Sequence, residues 1–150
     1  MIKRLGAALS VSAVLVLSLA SPSMAAVING TSGPDHLVGT AKADVIRGFA
    51  GNDTLRGKGG ADRLYGGPGR DGIRAGDDGK KDLAYGGRGG DRIVIWFFDH
   101  AYAGPGNDTV VVKAEGTEAY CGPGHDTAII PRSAADFIHL HSCEVIVKVS

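Results

Sequence analysis

The chain has 150 residues, which is room for one domain. Its 16 Lys and Arg residues balance its 16 Asp and Glu residues, so the composition shows no excess of positive charge that would indicate nucleic-acid binding. Thirteen of the 16 acidic residues are Asp, and 24 residues are Gly. Because Asp is typical of turns and oxygen-ligand sites, this composition predicts many tight turns and little helix.

Residues 1–25 have the features of a secretory signal peptide. Lys3 and Arg4 give a charged start, a mostly apolar stretch follows, and small residues suit cleavage after Ala25 or, alternatively, after Ala26. A retained membrane anchor is the less favoured alternative, because the apolar run is short for a spanning helix. We therefore expect a secreted, extracellular protein with no membrane span after cleavage.

A strict nine-residue repeat follows. Three consecutive units occupy residues 48–74 and read GFAGNDTLR, GKGGADRLY and GGPGRDGIR. Each has Gly in the first and fourth places, Asp in the sixth, and Leu or Ile in the eighth. Weaker copies begin at Gly30 and Gly39. An 11-residue unit begins at Ala75, and we expect its insertion to bulge at residues 77–81.

The later units are less even. The unit GGRGGDRIV ends at Val94, and the next, IWFFDHAY, is one residue short and has no glycine. AGPGNDTVV and CGPGHDTAI restore the pattern, but the unit between them has Thr117 in the Asp place. After Ile129 the repeat dissolves, and the tail EVIVKV predicts a closing strand. The expected organisation is a repeat domain at 27–129 and a C-terminal capping segment at 130–150.

These units resemble the GGxGxDxUx nonapeptides of the repeats-in-toxin (RTX), or hemolysin-type, calcium-binding proteins of secreted bacterial type. The resemblance implies an all-β fold, a right-handed parallel β-roll (β-solenoid) with two repeats per coil, and Ca²⁺ as the bound ion. The alternation of D-x-U-x turns the aliphatic side chain inward. The expected inward columns are Leu37, Ile46, Leu55, Leu64, Ile73, Ile93 and Val110.

Stacked coils explain why the repeat needs a metal. Strands lie about 4.8 Å apart, so Asp53 should lie one coil from Asp35 and from Asp71. Carboxylates at that spacing repel by about 1 kcal/mol a pair in water. Ca²⁺ accepts 6–8 oxygens from carboxylates and main-chain carbonyls, so it reverses the sign of this interaction. We expect binding and folding to be coupled. A metal-free glycine solenoid with surface Asp is the alternative.

The resemblance implies a set of ligand residues. The strongest candidates are Asp53, Asp62 and Asp71, which lie in intact units, and Thr117 should interrupt the later sites. Asp99 matches the ligand place through the one-residue deletion. The other candidates are the carboxylates of Asp35, Asp44, Asp82, Asp91, Asp108 and Asp126 and the turn carbonyls of Gly48, Gly51, Gly57, Gly60, Gly66 and Gly69.

Cys121 and Cys143 predict a disulfide, because an exported chain meets an oxidising environment. A loop of roughly 20 residues closed in this way is worth about 3 kcal/mol. Zinc is the alternative, since His125, His139 and His141 lie near these cysteines in sequence, although no Cys-x-x-Cys pair is present.

The aromatic stretch Trp96, Phe97 and Phe98 replaces a glycine turn. It packs against the coil or forms a patch for a cell-surface, carbohydrate or protein partner. Two roles therefore stay open: a calcium-dependent structural protein, and a calcium-dependent extracellular adhesion or partner-binding module. The chain has no G-x-S-x-G, P-loop or H-E-x-x-H motif, and we do not expect an enzyme.

Overall fold

The structure, a computed structural model, describes residues 24–133 and 138–149. These residues form fourteen short β-strands joined by turns. The strands are β1 (Val27–Asn29), β2 (His36–Val38), β3 (Val45–Arg47), β4 (Thr54–Lys58), β5 (Arg63–Pro68), β6 (Gly72–Gly76), β7 (Leu83–Arg88), β8 (Arg92–Ile95), β9 (His100–Tyr102), β10 (Thr109–Val112), β11 (Glu118–Tyr120), β12 (Thr127–Pro131), β13 (His139–His141) and β14 (Val145–Val149).

The strands stack into two parallel sheets of seven. The odd-numbered strands form sheet A in the order β1 to β13, and the even-numbered strands form sheet B in the order β2 to β14. Each coil therefore gives one strand to each sheet. Leu37 pairs with Leu55, and Leu55 pairs with Ile73, each one coil or 18 residues further on. The predicted all-β fold, a parallel β-roll with two repeats per coil, is confirmed.

The core lies between the two sheets and follows from the alternation within each unit. The sixth and eighth places face inward, while the seventh and ninth face the outside of the coil. Every aliphatic residue expected in the inward columns is at most 2% exposed. These residues are Leu37, Ile46, Leu55, Leu64, Ile73, Ile93 and Val110.

The units of unusual length keep the register, because the turns absorb the difference. The 11-residue unit still places Ala84 opposite Leu64, and the shortened unit places Ala101 opposite Ala84. The extra residues lie in the exposed turn 77–81 between β6 and β7, as expected. The places of Asp and the aliphatic residue thus fix the strand, and length varies outside it.

A stack of aromatic rings runs along the outer face of sheet A. The rings of Tyr65, Tyr85, Tyr102 and Tyr120 are nearly parallel, with centroids 4.9–5.0 Å apart, and the ring of His141 extends the stack at 4.3 Å. An aromatic pair is worth about 0.5–1.5 kcal/mol beyond its buried area. The stack therefore reinforces the strand pairing of sheet A from outside.

The last coil is closed by a disulfide instead of a full turn. Only residues 142–144 separate β13 from β14, where the preceding coil has the six residues 121–126. Cys121 and Cys143 form a disulfide with their Cα atoms 5.2 Å apart. Because both cysteines form the disulfide, neither has a free thiolate to bind zinc, and the zinc alternative is not supported. The expected closing strand is β14.

The signal peptide predicted at residues 1–25 lies outside the described residues except for its last two. Among the residues that the structure describes, no helix is long and apolar enough to cross a membrane. The boundaries at 27, 129 and 130 stay predictions, and the two sheets continue through β13 and β14.

Candidate functional site

The turns between the sheets form two columns, one along each edge of the roll. The turns that lead from sheet A into sheet B are called the regular column, because five of the six have Gly or Ala in the first place and all have Gly in the fourth. The opposite turns are called the irregular column. The regular column comprises residues 30–35, 48–53, 66–71, 86–91, 103–108 and 121–126, and the irregular column comprises 39–44, 57–62, 75–82, 95–99 and 112–117.

The fourth-place glycines let successive regular turns approach closely. Gly69 has a φ of 149°, and a methyl group on its Cα would collide with the carbonyl oxygen of Gly51 in the preceding coil. An L side chain rarely adopts this conformation. In the irregular column Gly60 holds the fourth place, but Lys42 and Glu115 hold it in two other turns. The close turn-on-turn contact thus recurs along the regular column, whereas fourth-place Gly60 makes it in the irregular column.

Each sixth-place Asp ties its coil to the preceding one. In the regular column Asp53 Oδ1 accepts the backbone N–H of Asp35 at 2.9 Å, and Asp71 Oδ1 accepts that of Asp53 at 2.8 Å. The same bond continues through Asp91, Asp108 and Asp126 at 2.7–2.8 Å. The carboxylates thus form a row inside the roll, spaced by one coil.

The irregular column has a second, shorter row. Asp44 Oδ1 accepts the backbone N–H of Ala26, and the pattern passes through Asp62 and Asp82 to Asp99 at 2.7–2.9 Å. Asp82 and Asp99 join the row in spite of the insertion and the deletion. The row ends at Thr117, whose hydroxyl donates to the carbonyl oxygen of Ala114.

The second carboxylate oxygen of most of these residues has no protein partner. It is buried without a hydrogen bond in Asp53, Asp71, Asp91, Asp108 and Asp126 of the regular column and in Asp62 and Asp82 of the irregular column. A buried carboxylate oxygen with no donor is costly. These oxygens, five in one row and two in the other, are an arrangement that cations would stabilise.

Three carboxylates differ because their own turns satisfy Oδ2. Asp35 Oδ2 accepts the N–H of Thr31 at 2.6 Å, Asp44 Oδ2 accepts that of Thr40 at 2.5 Å, and Asp99 Oδ2 accepts that of Trp96 at 2.8 Å. A bound metal ion would therefore stabilise these carboxylates less than the other candidates.

Main-chain carbonyl oxygens lie beside the carboxylates. At the first-place Gly48, the space that a Cβ atom would fill is bordered by Asp53 Oδ2 and by the carbonyl oxygen of Gly66 in the next coil. The same pair of oxygen types recurs at Gly57, where Asp62 Oδ2 meets the carbonyl of Ala75. Carboxylate and carbonyl oxygens are the ligands that Ca²⁺ prefers, so the residues present fit this ion.

The six glycines expected to supply carbonyls fall into two groups. The carbonyl oxygens of Gly48, Gly57 and Gly66 lie near Oδ2 of the Asp in the preceding coil, namely Asp35, Asp44 and Asp53. The carbonyl oxygens of Gly51 and Gly69 instead contact the fourth-place glycine of the next coil, and Gly60 packs against the backbone of Lys42 and Ala43. The first-place carbonyls are thus the ones that meet carboxylates.

Burial makes the carboxylates hard to ionise without a cation. Loss of solvation raises the pKa of Asp62 and of Asp82 to about 7, and that of Asp71 and of Asp91 to about 6. Neighbouring carboxylates add to this rise, whereas the backbone N–H bonds oppose it. A bound cation would lower these pKa values, because it stabilises the ionised carboxylates.

The irregular column changes character after residue 94. Ile95 and Val112 occupy the first place of its last two turns, where the earlier turns have Gly or Ala, and both are buried. Their side chains belong to the apolar core. We expected Thr117 to interrupt the later sites, and the break is confined to this column, because the regular row continues to Asp126.

Within the described residues, no three His, Cys, Asp or Glu side chains converge as a metal-binding cluster.

The residues of the aromatic stretch differ in their exposure. Trp96 is half-buried with the guanidinium of Arg74 4.7 Å from its ring centroid, whereas Phe97 is 42% exposed and Phe98 57% exposed. Packing thus accounts for Trp96, and two phenylalanines stay at the surface.

The fold and the carboxylate rows define a repeat solenoid with oxygen ligands of the kind that Ca²⁺ prefers. A family model described as RTX calcium-binding nonapeptide repeat (4 copies) matches residues 29–62 and 48–79. The chain thus carries RTX repeats, which bind Ca²⁺, and the resemblance noted from the sequence is confirmed. A search of curated proteins found no match to the chain.

Proposed function

We propose that this is a secreted calcium-binding protein in which Ca²⁺ binds between stacked coils and drives folding of the β-roll. The observation that carries the proposal is the two rows of buried Asp Oδ2 atoms without hydrogen-bond partners, several of which, such as those of Asp53, Asp62 and Asp71, lie near a main-chain carbonyl oxygen of the next coil. Bound Ca²⁺ would supply the positive charge that offsets carboxylate repulsion and burial.

The regular column is the main site in this proposal. Asp53, Asp71, Asp91, Asp108 and Asp126 would provide carboxylate oxygens, and first-place residues such as Gly66 would provide carbonyl oxygens. In the irregular column Asp62 and Asp82 would serve in the same way. Asp35, Asp44 and Asp99 are weaker ligands, because backbone N–H groups of their own turns already occupy Oδ2.

Isothermal titration of the mature, oxidised chain with CaCl₂ after chelation tests the proposal, with MgCl₂ as the control ion. Mg²⁺ demands a rigid octahedron and keeps its waters, so we expect saturable binding of Ca²⁺ and at least tenfold weaker binding of Mg²⁺. Heats equal to buffer dilution with both ions would show that the carboxylate rows do not bind calcium.

The second candidate is a calcium-dependent adhesion or partner-binding module. The observation that favours it is the exposure of Phe97 and Phe98 at the turn 95–99. Replacing Phe97 and Phe98 by Ser separates the candidates: a structural role predicts a loss of stability, and a partner patch predicts intact folding with weaker binding to the cell surface. RTX repeats of this kind are typically structural and calcium-binding, and we propose no catalytic activity.

Export is inferred from the sequence of residues 1–25 alone. N-terminal sequencing of the protein from the culture medium of a secreting host checks it: we expect a chain that starts at Ala26 or Val27. Recovery of the protein only inside cells, with residues 1–25 attached, would contradict secretion.

A further inference from the structure

A groove on the outer face of sheet B is lined by three basic side chains. It has a volume of about 300 Å³, and Arg56, Lys58 and Arg74 line it together with Asp77 at the start of the inserted turn. We call it the basic groove. It lies on the outside of the coil, and its basic side chains point away from the buried carboxylate rows.

Strand pairing brings the basic residues together. Arg56 of β4 pairs in register with Arg74 of β6, so their side chains leave the same face of adjacent strands about 4.8 Å apart. Lys58, two residues after Arg56, emerges on the same face. Like charges directly opposite each other in a sheet are destabilising. This arrangement therefore has a cost that a bound anion would offset.

The three cations have no carboxylate partner among the described residues. The ion pairs within 4.0 Å in that part of the chain are His100–Glu118 and His125–Glu144, both on other parts of the surface. Asp77 is the acidic group that lines the groove, so three positive charges face one negative charge there. The groove has a net positive charge on a chain whose overall charge is zero.

The ring of Trp96 contacts the guanidinium group of Arg74. The guanidinium carbon of Arg74 lies 4.7 Å from the centroid of the Trp96 ring, a cation–π contact. Such a contact reduces the rotamer freedom that Arg74 would lose on binding a ligand. A planar guanidinium fixed on an aromatic ring can present paired N–H donors, the geometry that suits oxyanions.

We propose that the basic groove binds an oxyanionic ester group, a phosphate or sulfate ester, through Arg56, Lys58 and Arg74. Arg74 on its Trp96 support and Arg56 beside it would donate paired hydrogen bonds to the ester oxygens, and Lys58 would add a point charge. This gives the one tryptophan of the chain the role of a support for an anion-binding arginine.

Trp96 also provides the test, since it is the only tryptophan of the chain and its ring contacts Arg74, which lines the groove. The folded protein in CaCl₂ is titrated with glycerol 1-phosphate and, separately, with methyl sulfate while tryptophan fluorescence is recorded. We expect a saturable change with at least one ester, and the tighter of the two identifies phosphate or sulfate as the preferred group.

Arg56→Gln is the test variant, because it leaves the contact between Arg74 and Trp96 intact. Arg92→Gln is the matched control: Arg92 is exposed on β8 of the same sheet and does not line the groove. We expect the midpoint of Arg56→Gln to rise at least tenfold and that of Arg92→Gln to stay within twofold, with unchanged far-UV spectra. No saturable change with either ester, or equal midpoints for the two variants, would overturn the proposal.

Discussion

The two edges of the roll share one repeat but differ in what their turns contain. The regular column keeps Gly in the fourth place of all six turns and has five consecutive buried Oδ2 atoms without a partner. The irregular column has two such atoms, and its last turns contain the buried side chains of Ile95 and Val112. The regular edge offers candidate ion ligands along its length, whereas the irregular edge has buried apolar side chains in its last two turns.

This difference teaches that the strands and the turns obey separate constraints. Each unit must place an inward Asp or Thr and an inward apolar residue to keep its strand in register, and both columns do so. Glycine is required where one turn lies closely against the next, as at Gly69. Insertions, deletions and aromatic residues are thus tolerated at one edge without loss of the fold.

The largest effect is expected from Gly69→Ala. The added methyl group would collide with the carbonyl oxygen of Gly51, and the φ of 149° is strained for any L side chain. We expect a loss of more than about 3 kcal/mol in the free energy of unfolding, a large share of the 5–15 kcal/mol typical of a domain. Urea unfolding in CaCl₂ measures it.

The control for this prediction is Gly72→Ala. Gly72 has an ordinary φ, and a Cβ there would meet no atom closer than 3.9 Å. Its free energy of unfolding should stay within about 0.5 kcal/mol of the original protein, as for other unstrained surface changes. Equal losses in the two variants would mean that the close approach of the regular turns is unimportant.

Loss of the disulfide should come next. Cys121 and Cys143 are 22 residues apart in sequence, and their disulfide closes the regular column where a full turn is absent. The double replacement Cys121→Ser and Cys143→Ser should cost about 3 kcal/mol, because the unfolded chain gains the freedom of the opened loop. Thermal unfolding of both proteins in CaCl₂ measures this. An unchanged melting temperature would indicate that the last coil does not take part in cooperative unfolding.

Asp71→Asn tests whether the regular column is the main calcium site. The amide oxygen can still accept the N–H of Asp53, but the charge that faces the proposed ion is lost. We expect the calcium midpoint of folding to rise at least tenfold. Asp44→Asn is the matched variant in the irregular column, where Thr40 already satisfies Oδ2, and its midpoint should shift less than threefold. A larger shift for Asp44→Asn than for Asp71→Asn would reverse the assignment of the main site.

A smaller effect is expected from pH on the stability of the calcium-free protein. Burial raises the pKa of Asp62 and Asp82 to about 7 from an ordinary value of 3.8. The folded state therefore binds more protons than the unfolded state between about pH 4 and 7, and stability must fall as pH rises through this window. One pKa unit corresponds to about 1.4 kcal/mol, so a loss above about 1 kcal/mol is expected.

Far-UV circular dichroism in EDTA at pH 5 and pH 7.5 checks this sign, because the folded fraction of the calcium-free protein should be larger at pH 5. With saturating CaCl₂ the order should reverse, because the ion binds the ionised carboxylates. A calcium-free protein that is more stable at pH 7.5 would contradict the burial of protonated Asp side chains.

Much of the fold could be predicted from the sequence, because Gly, Asp and aliphatic residues recur at fixed places in each nine-residue unit. Asp and an aliphatic residue two places apart predict a strand with one inward face, and the 18-residue offset predicts that Leu37, Leu55 and Ile73 pair. The bulge at residues 77–81 and the disulfide also followed from simple patterns. The place of Asp82 and Asp99 in the row followed from aligning units of unequal length.

Other features needed the structure. The aromatic stack was visible as Tyr in the ninth place of every second unit, but outward side chains give no signal of burial. That Oδ2 is occupied in Asp44 and orphaned in Asp71 depends on the backbone at the second place of the turn, where Thr40 donates its N–H and Gly67 has a φ of 114°. The 18-residue offset also pairs Arg56 with Arg74, but the contact between Arg74 and the Trp96 ring needed the structure.

The central claim is that calcium bound between coils drives folding, and far-UV circular dichroism of the mature, oxidised protein tests it most directly. After chelation the protein is titrated with CaCl₂, and with MgCl₂ in parallel. The account predicts a cooperative transition from coil to β-structure with Ca²⁺ that Mg²⁺ does not reproduce. A chelated protein that already shows the full β spectrum, with a melting temperature unchanged by Ca²⁺, would contradict it.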